Sequence, residues 1–306
     1  MYNTFLYLIT VLIWGSTWLA IKFQLGVVAP ELSIAYRFGL AASILFIFSL
    51  VRRLPLRFNL KSQAYFALQG FLLFSLNYIL VYLAESYLTS GLVAIIFSGI
   101  IILNIIFGAI FLRNPIRLRV VVGGLVGLLG LSLVFWPELS SFDLSSGIAL
   151  GIVLAVVATV SASLGNVVSA RNQRNELPVI QTNAYGMLYG AIFMFVLALF
   201  RGAPLQIEPT LGYLASLLYL AIFGSVIAFG SYLTLLGRIG LDRAAYVTVL
   251  FPIIALLLST LFEGLSWGFL QLAGVALVLV GNALVLNKHF KLNLSAPFRR
   301  DTPLRD

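Results

Sequence analysis

Arg37 stands inside the run 32–51, among aliphatic and aromatic residues. It follows Glu31 by six residues, which is about 9 Å along a helix rising 1.5 Å per residue. A cation at that depth in an apolar run is costly and tends to be functional. It would draw an anionic or carboxylate group, or pair with Glu85. The alternatives are a structural ion pair, or an arginine that snorkels its head to the boundary.

Other polar residues fall on helical spacings. Trp14 and Trp18 are four apart, with Thr17 beside them. Tyr78, Tyr82 and Glu85 follow at i, i+4 and i+7, with Asn77 adjacent, and Ser163 and Asn166 are three apart. Gln181, Tyr185 and Tyr189 keep the four-residue interval, and Tyr246 and Thr248 precede Pro252. Residues three or four apart meet on one side of a helix, so each stripe is a candidate cavity wall for an amphipathic or aromatic solute. The competing readings are interfacial aromatic belts and interhelical hydrogen bonds; they weigh most on Tyr82 and Gln181, near the ends of their runs. Pro252 offers no N–H and disturbs the turn before it. Neighbours and waters can satisfy the freed carbonyl inside a membrane. The proline is therefore either a hinge for alternating access or a static kink.

Other chemistry lacks its residues. There is no cysteine, and the single histidine, His289, lies in the C-terminal tail. No phosphate-binding loop and no Asp/His cluster are present, so neither cofactor nor metal is expected, and no catalytic residue is assigned. No Asp or Glu sits in the middle of an apolar run. A carboxylate titrating there is not expected, and Glu85 at the cavity mouth is the remaining candidate for proton sensing.

The elements that hold these residues follow from composition. Of 306 residues, 61% are hydrophobic and 9% charged, where a soluble chain carries roughly a quarter charged. The bilayer must be the solvent. Ten runs approach the ~20 residues that a spanning helix needs: 4–23, 32–51, 63–84, 89–112, 120–136, 147–170, 179–200, 210–235, 244–262 and 267–287. Lipid admits only helices or closed barrels, and these runs lack strand alternation. The fold class is all-α integral membrane, with ten transmembrane helices. The net charge of +9 does not point to nucleic acid, because the basic residues sit in short clusters between apolar runs. Of nineteen basic residues, all but Lys22, Arg201 and Arg37 fall in alternate loops or the C-terminal tail. By the positive-inside rule both termini are cytoplasmic.

The fifth run contains GGLVGLLGLSLV (123–134) and the tenth GVALVLVGNALV (274–285). Both read Gly, six residues, Gly, two residues, Leu-Val, at a separation of 151. Two five-span units follow, 1–138 and 139–288, with a cytoplasmic tail 289–306. An odd number of spans per unit makes the repeat inverted, as in transporters built around a midplane site. Gly123, Gly127 and Gly130 allow close helix approach, for a homodimer through the fifth and tenth helices or for packing within one subunit.

The chain resembles the EamA-type family of the drug/metabolite transporter superfamily. LIWGSTWLAIK (12–22) looks like that family's first helix, and AYRFGLAA (35–42) like its second, with Arg37 at the family's frequent arginine. YLTSGLVAIIFS (87–98) is similar to the fourth. The first of these and GRIGLDRAAYVTVLFPIIALLLSTLFEGLS (237–266) match best. The resemblance implies helices one to four and six to nine around a central cavity, in a bacterial inner membrane. Two departures stand out. The fourth run has no proline, and Asn114 stands near an expected Glu; the fourth helix should bend less or pivot elsewhere.

The expected function is a secondary transporter, not an enzyme, with a small-molecule substrate and the lipid bilayer as partners. The resemblance favours export of amino acids, related metabolites or amphipathic drugs. A uniporter or exchanger suits the missing mid-span acid as well as an antiporter does. A membrane enzyme lacks the residues it would need. A non-transporting receptor or scaffold is the alternative, separated from a transporter by saturable flux in vesicles.

Overall fold

The computed structural model describes residues 1–24, 26–88, 90–140, 146–263 and 268–286; the expected tail 289–306 lies outside them. Among the described residues every regular element is helical, since a helix satisfies its own backbone where lipid offers no partner. The first half runs α1 (Tyr2–Lys22), α2 (Pro30–Val51), α3 (Leu60–Phe71), a π turn π1 (Leu72–Leu76), α4 (Asn77–Glu85), α5 (Ser90–Ser98), α6 (Ile100–Leu112), α7 (Leu118–Val134) and the short α8 (Trp136–Ser140). The second runs α9 (Ser146–Arg174), α10 (Val179–Phe200), α11 (Leu211–Tyr219), π2 (Leu220–Ile227), α12 (Ala228–Ile239), α13 (Leu241–Ala244), α14 (Val247–Glu263) and α15 (Phe269–Leu286). Among the described residues seven helices are long and apolar enough to cross a membrane, and α7 is a shorter apolar helix.

Local chemistry sets the ends. α2 opens on Pro30, whose missing N–H costs nothing at a first helical position, with Glu31 in the first turn. Asn59 caps α3 by accepting from the Ser62 N–H at 2.8 Å. α9 runs past the expected 170. There the Arg171 guanidinium lies 3.5 Å from the Tyr65 ring centre, and Arg174 donates to Leu112 O at 2.6 Å and to Asn114 Oδ1. Asn114, where a Glu was expected, is therefore an acceptor for a basic residue of the other half.

The two halves repeat in geometry. Leu60 and Leu211 begin helices 151 residues apart, as do Leu118 and Phe269. The π turns end at Leu76 and Ile227, again 151 apart. Equivalent helices pack on each other, α7 on α15 and α2 on α10. A Cβ on Gly130 would lie 2.6 Å from Gly274 O and 2.8 Å from Val278 N. The glycine stripes of α7 and α15 thus pack on each other within one chain.

Each π turn opens the backbone toward the first helix of the opposite half. Ser161 Oγ of α9 donates to Leu72 O at 2.7 Å. Trp14 Nε1 of α1 donates to Gly224 O at 3.3 Å. The fourth apolar run, which lacks a proline, is interrupted at Gly99 between α5 and α6. In the ninth, Pro252 lies inside α14.

Candidate functional site

Between the halves lies a cavity enclosing about 890 Å³ of empty space, part of it continuous with the surroundings. The walls come from α1 (Trp14, Thr17, Ile21), α2 (Arg37), π1 (Leu73), α4, α5 (Val93, Phe97), α6 (Ile100), α9 (Ala162, Asn166), α12 (Phe229, Tyr232) and α14 (Thr248, Phe251). The α4 face contributes Asn77, Tyr78, Val81, Tyr82 and Glu85. One continuous helical stripe therefore brings two tyrosines, an amide and a carboxylate to the same wall.

Arg37 is 3% exposed. Its Nε donates to Ser225 Oγ at 2.9 Å. Its Nη2 reaches Tyr78 OH and Gly224 O, each at 3.4 Å. The guanidinium carbon lies 5.0 Å from the Tyr78 ring centre and 5.3 Å from that of Phe38, within cation–π range. Arg37 and Glu85 form no ion pair; the ion pairs among the described residues are Arg117–Asp242 and Arg201–Glu31.

Among the described residues four buried polar atoms on this wall have no hydrogen-bond partner: Arg37 Nη1, Asn77 Oδ1, Glu85 Oε1 and Asn166 Oδ1. The other ends of both amides are fixed, Asn77 Nδ2 on Leu73 O at 3.4 Å and Asn166 Nδ2 on Tyr232 OH at 3.0 Å. Leaving a buried donor or acceptor unmade costs about 1–3 kcal/mol. These atoms are free to bond to a solute or to water. The wall also carries a cluster of rings: Trp14 packs 5.0 Å from both Phe229 and Tyr232 and 6.5 Å from Phe251.

Trp14, Arg37, Asn77, Tyr78, Tyr82, Glu85, Asn166 and Thr248, expected from the sequence as candidate liners, all border this cavity. Four others do not. Ser163 donates to Asn104 Oδ1 at 2.7 Å, tying α9 to α6. Tyr185 donates to Leu56 O at 2.7 Å and joins a ring cluster with Phe46, Phe58 and Phe66. Tyr189 donates to Gln63 Oε1 at 3.0 Å. Tyr246 donates to Val278 O at 3.0 Å and plugs the gap left by Gly127 and Gly281. Spacing put each of these on a face; the face meets a neighbouring helix. The side chain of Trp18 falls outside the described residues. Gly224 and Ser225 were missed, because a π turn leaves no mark in an apolar run. Phe229 and Tyr232, three apart on α12, did carry a signal.

Polar layers joining the halves flank the cavity. At one end Gln69 Nε2 donates to Asn183 Oδ1 at 3.2 Å, and Asn172 Nδ2 to Gln69 Oε1 at 3.1 Å. At the other, Gln24 Nε2 donates to Tyr213 O at 3.0 Å, Tyr36 to Gln206 O at 3.2 Å, and Arg201 pairs with Glu31. Among the described residues no three of His, Cys, Asp and Glu group as a metal site.

Known proteins match along the whole chain. The model of the EamA-like transporter family matches residues 2–136 and again 149–287. The chain is similar to the uncharacterized inner membrane transporter YedA of Escherichia coli, 28% identical over 278 residues covering 88% of this chain and 87% of that one. An uncharacterized transporter of Archaeoglobus fulgidus is 25% identical over 280 residues, covering 92% and 97%. A solved structure titled only as the crystal structure of a protein superposes with a TM-score of 0.78 at 19% identity, covering 93% of this chain and 96% of that one, which speaks to the fold alone.

Proposed function

The chain belongs to the EamA-like transporter family, and on that premise we propose a secondary transporter that moves a small zwitterionic solute with an apolar or aromatic body. Amino acids and related metabolites fit that description. The single observation that carries the reading is a pair of polar atoms on one cavity with no hydrogen-bond partner among the described residues, one on a basic and one on an acidic side chain: Arg37 Nη1 and Glu85 Oε1. A zwitterion carries a partner for each, a carboxylate for the guanidinium and an ammonium for Glu85. The spare oxygens of Asn77 and Asn166 accept its remaining donors, and the rings of Trp14, Phe229 and Phe251 take its body. A simple anion or a simple amine leaves one buried charge unmet, which is expensive where water is excluded.

The movement is alternating access between two five-helix units, 1–138 and 139–288, inserted oppositely to make ten spans. Membership, the apolar helices and the name of the Escherichia coli relative favour a multi-pass protein of the bacterial inner membrane. The skew of Arg and Lys to one set of loops favours cytoplasmic termini. In that orientation the Gln69–Asn172–Asn183 layer is the cytoplasmic closure and the cavity reaches toward the outer face; export is the direction that the family resemblance favours. Pro252 and Gly99 are the pivots of the ninth and fourth spans.

The test is counterflow in vesicles reconstituted with the purified protein. Phenylalanine, phenethylamine and 3-phenylpropionate share one ring and differ only in their charged groups. Saturable exchange of phenylalanine well above the other two supports the reading. Equal exchange of all three, or of none, overturns it.

A further inference from the structure

The π turn of the eighth span holds Arg37, and the way it does so has a chemical consequence. In a π turn the backbone bonds reach back five residues rather than four. Here the Ala228 N–H bonds to Phe223 O and passes over Gly224 O. That carbonyl accepts from Arg37 Nη2 and from Trp14 Nε1. The next residue, Ser225, is fully buried. Its hydroxyl donates to Leu220 O, five residues back, at 2.9 Å, and its oxygen then accepts from Arg37 Nε. The donor to Leu220 fixes the hydroxyl's direction, so its lone pairs face the arginine. Position 224 is tight: a Cβ there would lie 3.1 Å from Arg37 Nη2 and 3.0 Å from Thr17 Cγ2, so those side chains would have to give by a few tenths of an ångström.

We propose that π2 is a specificity element of the solute site: Ser225 and Gly224 occupy Arg37 Nε and Nη2, so that Nη1 alone meets the solute. This rests on the solute reading above and narrows it. A guanidinium grips carboxylates and phosphates most firmly as a fork, with parallel bonds from two nitrogens. Every fork of Arg37 includes a nitrogen already engaged. The site therefore offers one single-nitrogen contact, enough for a monoanionic carboxylate that is also held at its ammonium. A phosphate ester, phosphonate or dicarboxylate brings more charge than one nitrogen meets, and is rejected. Ser225 is a positioning residue that acts through Arg37.

Two readouts on the full-length protein in nanodiscs test this. The first needs no solute. The Arg37 Nε–H resonance, assigned by its loss in Arg37→Lys, is protected from solvent exchange in the native protein and in Ser225→Thr. In Ser225→Ala its exchange accelerates by about tenfold or more, the scale of one hydrogen bond to a charged group. The second is the affinity ratio of phenylalanine to its aminophosphonate analogue. It falls by a similar factor in Ser225→Ala, where the guanidinium loses its Nε anchor and turns to present a fork, and is restored by Ser225→Thr. Unchanged Nε protection in Ser225→Ala overturns the proposal, as does an unchanged ratio once that protection is lost. If the native protein binds neither probe, the zwitterion reading falls with the selectivity claim, while the exchange measurement still decides whether Ser225 holds Arg37.

Discussion

Ser98 Oγ lies 3.0 Å from the carbonyl oxygen of Thr248 and donates to it, across from α5 to α14. That carbonyl is the one left without its helical partner by Pro252, four residues on, which has no N–H to give. The hydroxyl also reaches Ala94 O at 2.8 Å on its own helix, so a single proton serves both oxygens. A proline in an apolar helix is tolerated here because a serine of the opposite half stands where the missing donor would have been.

Ser98→Ala leaves the Thr248 carbonyl buried and unmade and destabilises by about 1–3 kcal/mol. Pro252→Ala restores the backbone donor, and in that background the cost of Ser98→Ala falls. A double-mutant cycle on thermal unfolding in detergent measures this coupling; additive effects would show that Ser98 does not serve that carbonyl. If Pro252 is a pivot, Pro252→Ala also slows exchange per folded molecule without lowering expression.

Arg37→Lys keeps the charge and loses the planar array that Ser225, Gly224 and Tyr78 hold. Exchange of phenylalanine drops by about ten- to hundredfold, the range expected when a buried charge-assisted contact is lost. Counterflow rates normalised to folded protein report it, and native-like exchange in the lysine variant removes Arg37 from the site.

Glu85→Gln replaces the unpartnered carboxylate with a neutral amide of nearly the same shape. The preference for phenylalanine over 3-phenylpropionate shrinks by about tenfold, since each 1.4 kcal/mol is a factor of ten. Competition by each compound against labelled phenylalanine reads the ratio. A preference unchanged by the substitution places the ammonium elsewhere.

Gly130→Ala sets a methyl against the backbone of α15, at Gly274 O and Val278 N, where nothing flexible can give way. Overpacking of this kind costs about 1–3 kcal/mol, and the apparent Tm falls. Gly230→Ala is the contrast, because nothing lies within 4 Å of its Cβ position. There the methyl meets open space, and a helical Gly→Ala gains about 0.5–1 kcal/mol. If both variants melt alike, the closeness of α7 and α15 does not limit stability.

What the sequence by itself determined is the class and the count of apolar runs. Lipid satisfies no backbone group, so a run near twenty residues has to be a helix, and hydropathy along the chain is enough to find it. The register of 151 was legible in GGLVGLLGLSLV and GVALVLVGNALV for the same reason, because close packing admits little but glycine at those positions. Arg37 was legible because a cation deep in such a run has few reasons to be there.

Tertiary structure decided where each stripe points. Helical spacing says that Tyr185 and Tyr189 share a face with each other, and that Asn77, Tyr78 and Tyr82 share theirs. It does not say that the first face meets α3 and the loop before it while the second meets a cavity; that depends on which helix stands opposite, and the opposing helix comes from the other half of the chain. The π turns are decided at the same level. Their backbone carbonyls turn outward only where Trp14, Arg37 or Ser161 arrives from another helix to take them, and no residue within LLFSL or LAIFGSVI announces that partner.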